Sequence, residues 1–175
     1  MNYRDEMTRS MQMLGENPNT IFLGQSVLYK GTAMFGTLKD VPKEKIIEFP
    51  VAEELQLSTS IGLSLNGFIP VSLFPRMDFL MRCMDSLVNH LDKIALLSEG
   101  RFQPHVIIRA SVGGTKQMNP GLQHIGDYYL PLSIMCKNID FYYLNDAEMI
   151  YPLYLRALES KRSSMLIELG DLYDT

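Results

Sequence analysis

Two cysteines, Cys83 and Cys136, are all the thiol chemistry this 175-residue sequence contains. Neither falls in a Cys-x-x-Cys or Cys/His cluster, which argues against a metal site built on them. Both stand among apolar neighbours. They are expected to pack as small hydrophobes and to stay reduced, as in a cytoplasmic protein. Basic runs are missing as well. A formal net charge of −4, spread evenly, excludes a nucleic-acid surface. No segment approaches the ~20 uncharged apolar residues of a membrane span. The greasiest stretch, 77–97, is broken by Asp78, Arg82, Asp85, Asp92 and Lys93. The opening MNYRDEMTRS lacks an apolar core, so no secretory signal is expected. There is no G-x-G-x-x-G, no P-loop lysine motif and no G-x-S-x-G elbow. Those gaps remove dinucleotide, P-loop and serine-hydrolase chemistry. Internal repeats and low-complexity segments are absent too.

What is present is a soluble composition, 46% hydrophobic against 21% charged, enough for one packed domain spanning 1–175. Six short β-rich runs stand out, at 20–24, 45–49, 69–74, 105–110, 139–144 and 164–169. Each is bounded by Gly, Pro, Asn or a charge. Most are apolar throughout rather than alternating, which predicts strands buried on both faces, as in a parallel sheet. Helical patterns lie between them. Tyr3, Met7, Met11 and Leu14 share one face of a first helix, with Asn2 as its N-cap and Gly15 as its stop. Residues 53–65 form a second helix, ended by Asn66-Gly67. A third covers 77–98, where Leu80, Met84, Leu87, Leu91 and Ile94 form a stripe widened by Cys83, Val88 and Ala95. So wide a stripe suggests a subunit interface. The fourth, 146–160, has Asn145 and Glu148 at capping-box spacing, and Pro152 should kink it or delay its start.

Alternating strands and helices predict an α/β fold, a mainly parallel six-stranded sheet with helices on both faces. Ligands of such sheets bind beyond the carboxyl ends of the strands, so the residues there are the candidates. The second strand runs into Pro50-Val51-Ala52-Glu53-Glu54, two carboxylates opening a helix. Complementarity to the helix dipole explains that much without invoking function. The third is followed by Pro75-Arg76-Met77-Asp78-Phe79, where Phe79 reads most simply as core. The fourth leads into a Gly-rich stretch, Ser111-Val112-Gly113-Gly114-Thr115, extending to His124. A histidine on a loop at this edge is a site candidate. His90 and His105 read as structural.

In order and spacing these segments resemble one family, the pyrimidine-binding domain of the transketolase and 2-oxoacid dehydrogenase E1-β superfamily. The similarity starts at Tyr3-Arg4-Asp5, continues through Ile21-Phe22-Leu23-Gly24 and Phe49-Pro50-Val51-Ala52-Glu53, and includes Gly62 to Val71. It then takes in Met77-Asp78-Phe79, Met84 to Asn89, Arg109 through Gly114, His124, Asp146-Ala147 and Leu172-Tyr173. The resemblance implies a thiamine diphosphate enzyme. Glu53 occupies the place of the family's catalytic glutamate, which hydrogen-bonds a ring nitrogen of the aminopyrimidine. That bond favours the tautomer able to remove the thiazolium C2 proton. It needs a carboxyl in a mostly dry pocket. Phe79 matches the aromatic that stacks on the pyrimidine, and His124 the histidine that faces substrate.

The sequence also departs from the family. Arg76 stands where an aromatic is usual, and is expected either to bind an anionic substrate or to form a surface salt bridge. Gln25-Ser26 and Leu73 stand where relatives often carry acids that link paired active sites. The resemblance further implies that Mg²⁺ and the cofactor's diphosphate belong to a partner chain, an α-type subunit in an α₂β₂ assembly. No Gly-Asp-Gly followed by a distant Asn-Asn occurs here, and the sequence stops where longer relatives continue into a further domain. The activity implied is making or breaking a C–C bond next to a carbonyl, transketolase-like or acyloin-forming. The alternatives are an E1-β-like dehydrogenase or decarboxylase subunit, and a non-catalytic scaffold or regulatory subunit that kept the fold.

Overall fold

The computed structural model describes residues 2–116 and 119–173. Six strands form one all-parallel sheet in the order β2-β1-β3-β4-β6-β5. They are β1 (Thr20–Gly24), β2 (Ile46–Glu48), β3 (Ile69–Phe74), β4 (Ile107–Val112), β5 (Asp140–Leu144) and β6 (Ser164–Leu169). The parallel sheet read from the apolar runs is therefore present. The first, third and sixth runs match their strands, whereas β2 is shorter than 45–49 and β4 lies two residues beyond 105–110.

Helices cover both faces. On one side lie α1 (Tyr3–Glu16), the single turn α2 (Ala33–Gly36) and α6 (Ala147–Glu159). On the other lie α3 (Glu53–Leu65), the segment 77–97 and α5 (Tyr129–Met135). Alternation along β4 divides its residues between the layers. Ile107 joins the α1/α6 side, while Ile108, Ala110 and Val112 join the other. Asn2 caps α1 by accepting from the Asp5 amide, as its sequence position suggests. The helix passes through Gly15 and ends one residue later.

Three expectations need correction. The third helix is not a continuous α-helix. Met77–Cys83 winds as a 3₁₀-helix, Asp85–Leu91 as a wider π-helix with Asp92 N–H bonded to Leu87 O, and only Ile94–Leu97 (α4) is α-helical. The changing pitch keeps Leu80, Cys83, Leu87 and Leu91 buried against the sheet, and Ser86 meets the Glu54 and Ser58 side chains on α3. The cap of α6 is Asp146, not Asn145, and the helix starts at Ala147 with Pro152 inside it, so the proline does not delay its start. The helix α5 carried no clear periodic signal. It is seven residues long with Pro131 in its first turn, where a missing N–H costs nothing. No helix among the described residues is long and apolar enough to cross a membrane.

Candidate functional site

Glu53 is the first residue of α3, directly beyond the carboxyl end of β2. Gln56, one turn on, pegs that helix start to the sheet. Its Nε2 donates to Ser72 Oγ and Leu73 O at 3.0 Å each, near the carboxyl end of β3. Glu53 is 7% exposed, yet among the described residues its carboxylate accepts no hydrogen bond. It faces the 77–83 turn, where it and Glu54 act on Cys83: burial first, then those charges, push the thiol up to about 12. The neighbouring Glu54 by contrast is satisfied by Ser86.

Across the 77–83 turn lies a cavity of about 430 Å³ at the same sheet edge. Arg76 and Phe79, from the segment after β3, and His124, from the loop after β4, all line it, together with Arg4, Gln25 and Tyr173. Glu53 is not on its wall. Phe79 and His124 meet edge to face at 5.6 Å between ring centroids. His124 closes a short 3₁₀ turn, Leu122–His124, behind Gly121 at φ +88°, and its Nδ1 is buried without a partner. The loop leading to it passes through Gln117 and Met118, which lie outside the described residues.

Arg76 settles one of the two readings given to it. Its Nη1 donates to Gly113 O at 2.6 Å, and no acidic side chain pairs with it among the described residues. A surface salt bridge is thus not what holds it. Gln25 and Ser26 reach the cavity, whereas Leu73 is 1% exposed and belongs to the core. The Gln25–Ser26 loop is held by Glu48, whose carboxylate accepts from the amides of Ser26, Val27 and Leu28 at 2.6, 2.8 and 2.9 Å. Ser26 takes φ +54° to allow it. His105 is structural, with Nε2 2.7 Å from Ala157 O; His90 is an exposed neighbour of Asp85.

One cluster has no counterpart in the sequence reading. Arg109 on β4 and Glu168 on β6 are both 0% exposed and joined by two hydrogen bonds, 2.5 and 3.1 Å. Thr37, Tyr154 and Tyr173 complete the network. Burial alone would drive the proton from Arg109; the Glu168 charge and the tyrosine oxygens outweigh it and raise the guanidinium further. The sequence carried a signal, a charge inside each of two apolar runs, which only a partner in register could explain. Tyr173 connects this network to the cavity, since it lines that wall, accepts from Arg4 Nε at its carbonyl (3.2 Å) and lies under the Arg4 guanidinium.

Comparison with known proteins adds the relationship. No protein-family model matches the chain. The β subunit of 2-oxoisovalerate dehydrogenase from Bacillus subtilis (strain 168) is 26% identical over 118 residues, 65% of this chain and 36% of that protein. The pyruvate dehydrogenase E1 β subunit of the same organism is 30% identical over 104 residues, 58% and 32%. The β subunit of acetoin:2,6-dichlorophenolindophenol oxidoreductase from Cupriavidus necator is 25% identical over 114 residues, 58% and 34%. The chain thus spans about a third of the length of the curated relatives it matches. A split-gene transketolase, described as an inactive β₄ tetramer, superposes with a TM-score of 0.76 at 20% identity, over 97% of this chain and 52% of that one. A transketolase from Campylobacter jejuni gives 0.74 at 14%, over 96% and 25%. The chain is a distant homologue of E1-β subunits, and its fold is that of the transketolase pyrimidine-binding domain.

Proposed function

We propose that this chain is the pyrimidine-binding, β-type half of a two-component thiamine diphosphate enzyme that makes or breaks a C–C bond next to a carbonyl, transketolase-like or acyloin-forming. One observation carries the reading: Glu53, 7% exposed at the carboxyl edge of a parallel sheet, is an acceptor without a donor. Its oxygens are not among the buried unpartnered atoms, so they stay open to a bound group. The N–H of a protonated aminopyrimidine ring is the kind of donor it lacks. Phe79 adds an aromatic face on the turn beside α3, and His124 a ring nitrogen with no partner. By chemical type these residues suit the pyrimidine end of the cofactor, Phe79 and His124 from the cavity and Glu53 from beyond its wall.

When bound, thiamine diphosphate supplies the electron sink for chemistry at a carbonyl carbon. This chain's residues do the rest of the work assigned to it. Glu53 holds the ring-nitrogen proton, in surroundings dry enough to strengthen that bond. Phe79 fixes the ring plane. His124, across the cavity, exchanges a proton with the substrate oxygen. Arg76 takes an anionic group of the substrate, carboxylate or phosphate, with the N–H groups left free by Gly113. The diphosphate and its Mg²⁺ are assigned to an α-type partner in an α₂β₂ assembly. A second reading, an E1-β-like subunit acting on a 2-oxo acid, is favoured by the names of the sequence relatives.

The test is co-expression with a diphosphate-binding chain encoded nearby, thiamine diphosphate titration, and turnover of wild type against Glu53→Gln. Loss of ~10²-fold or more in turnover is expected, the scale of a positioned acid or base. Wild-type turnover in Glu53→Gln would remove the assignment and leave a scaffold subunit. Release of CO₂ from a 2-oxo acid, against ketol transfer between sugars, separates the two enzymatic readings.

A further inference from the structure

His124 stands on a long stretch of backbone with little regular structure. Between β4 and α5 the chain runs from 113 to 128, and the turn Leu122–His124 is its only element among the described residues. A side chain on so long a loop keeps its place only if the loop is tethered. The tethers come just after His124, and they end on Met77 and Asp78. Gly126 N–H donates to Asp78 Oδ2 at 3.2 Å, and the Tyr128 hydroxyl donates to Asp78 Oδ1 at 3.3 Å. The Tyr128 N–H donates to Met77 Sδ, also at 3.3 Å. A Cβ at position 126 would lie 2.5 Å from the Tyr128 ring, so glycine there leaves the ring room to bring its hydroxyl to Asp78. Between the two donors, Asp127 accepts from the Tyr143 hydroxyl at 2.7 Å, which ties the loop to β5 as well.

Each side of this fastening carries a cavity-lining ring. Phe79 is the residue after Asp78, and His124 lies two residues before Gly126. The rings meet edge to face at 5.6 Å. Among the described residues the His124 ring makes no hydrogen bond of its own, so the backbone that carries it and the Phe79 contact set its place. Asp78 is not on the cavity wall. Its two oxygens each take one donor, and two bonds to one carboxylate fix direction as well as distance. We propose that Asp78 is a positioning residue for His124, holding the imidazole against Phe79 through the Gly126 amide and the Tyr128 hydroxyl. The proposal rests on the reading of His124 as a substrate-facing group, but its test does not.

The test uses the full chain, isotope-labelled and without ligand, and reads magnetic cross-peaks between the His124 and Phe79 ring protons. In Asp78→Ala those cross-peaks should be lost, and the Gly126 amide should exchange faster with solvent. The buried Arg109 guanidinium signal reports that the fold is intact. Unchanged cross-peaks beside an intact Arg109 signal overturn the proposal. Asp78→Asn should keep the cross-peaks, since its amide oxygen still accepts from Gly126 N–H and its NH₂ can donate to the Tyr128 hydroxyl oxygen. Their loss in Asp78→Asn, with Arg109 intact, would overturn a clamp built on these two bonds. Should Asp78→Ala lose the Arg109 signal as well, Tyr128→Phe opens one arm and leaves the carboxylate in place. The cross-peaks should then weaken, and unchanged ones overturn the proposal. Normal turnover of a His124→Gln enzyme would refute the role given to His124 in the proposed function. It would leave these results, taken on chains that keep His124, as they stand.

Discussion

Arg109, on β4, and Arg76, just beyond the end of the adjacent β3, are held in opposite ways. Arg109 is 0% exposed and has Glu168, Thr37 and Tyr173 as partners. Arg76 faces a cavity and, among the described residues, donates to one carbonyl, that of Gly113. The first arrangement uses up the guanidinium's donors inside the fold, and so locks β4, β6 and the 170–173 turn together. The second fixes the group's place and leaves donors over. The histidines repeat the contrast: His105 is bonded to Ala157 O, whereas the Nδ1 of His124 is buried with nothing. Groups satisfied within the chain serve the fold, and groups left over at the cavity are the candidates for meeting a ligand.

The contrast can be broken at Arg109 first. Arg109→Leu strands the Glu168 carboxylate in a dry interior, and should cost about 3–5 kcal/mol of stability in chemical denaturation. Replacing both residues with apolar ones should restore most of that loss, because no charge is then left behind. If the single and double replacements were equally destabilising, packing rather than charge would be what the pair supplies. Arg76→Ala should move stability by no more than about 0.5 kcal/mol, as a surface change does. It should raise KM for an acidic substrate by ~10–100-fold, the worth of about 1.5–3 kcal/mol for a hydrogen bond to a charge, and leave a neutral substrate alone. An equal loss on the neutral substrate would return Arg76 to a structural role.

The smallest effect concerns His105. Burial holds its pKa below the usual histidine value, with the Ala157 carbonyl opposing in part. The unfolded chain then binds the proton first. Stability from this group is whole above the ordinary value of about 6.5 and falls as pH drops towards the lower folded value. Denaturation midpoints at pH 7.5 and 5.5 should differ for wild type and differ less for His105→Gln. Identical pH dependence in the two would show that His105 is not the group responsible.

Much of this architecture was legible in the residue pattern. Continuous apolar runs such as 164–169 predict strands buried on both faces, because only a sheet covered twice can hide every side chain. The place of Glu53 followed from the same logic, since a helix opening after a buried strand lies at the ligand-binding edge. The segment 77–98 misled because its stripe fits an α-helix, while packing against α3 and the sheet imposes three different windings. The bond from the Lys116 amide to the Asp171 carboxylate was not legible at all, since it joins residues far apart in sequence.

By itself, then, the sequence determined the layers, the parallel sheet and the identity of the charged residues at its edge. Periodicity and turn chemistry are local, and they act within a few residues. Tertiary structure alone decided which of those charges are consumed and which are left over. Whether a guanidinium meets a carboxylate, a carbonyl or a cavity depends on register between strands and on the loops at the sheet edge. That is why Arg109 and Arg76, alike as letters, ended as a strut and an open hand.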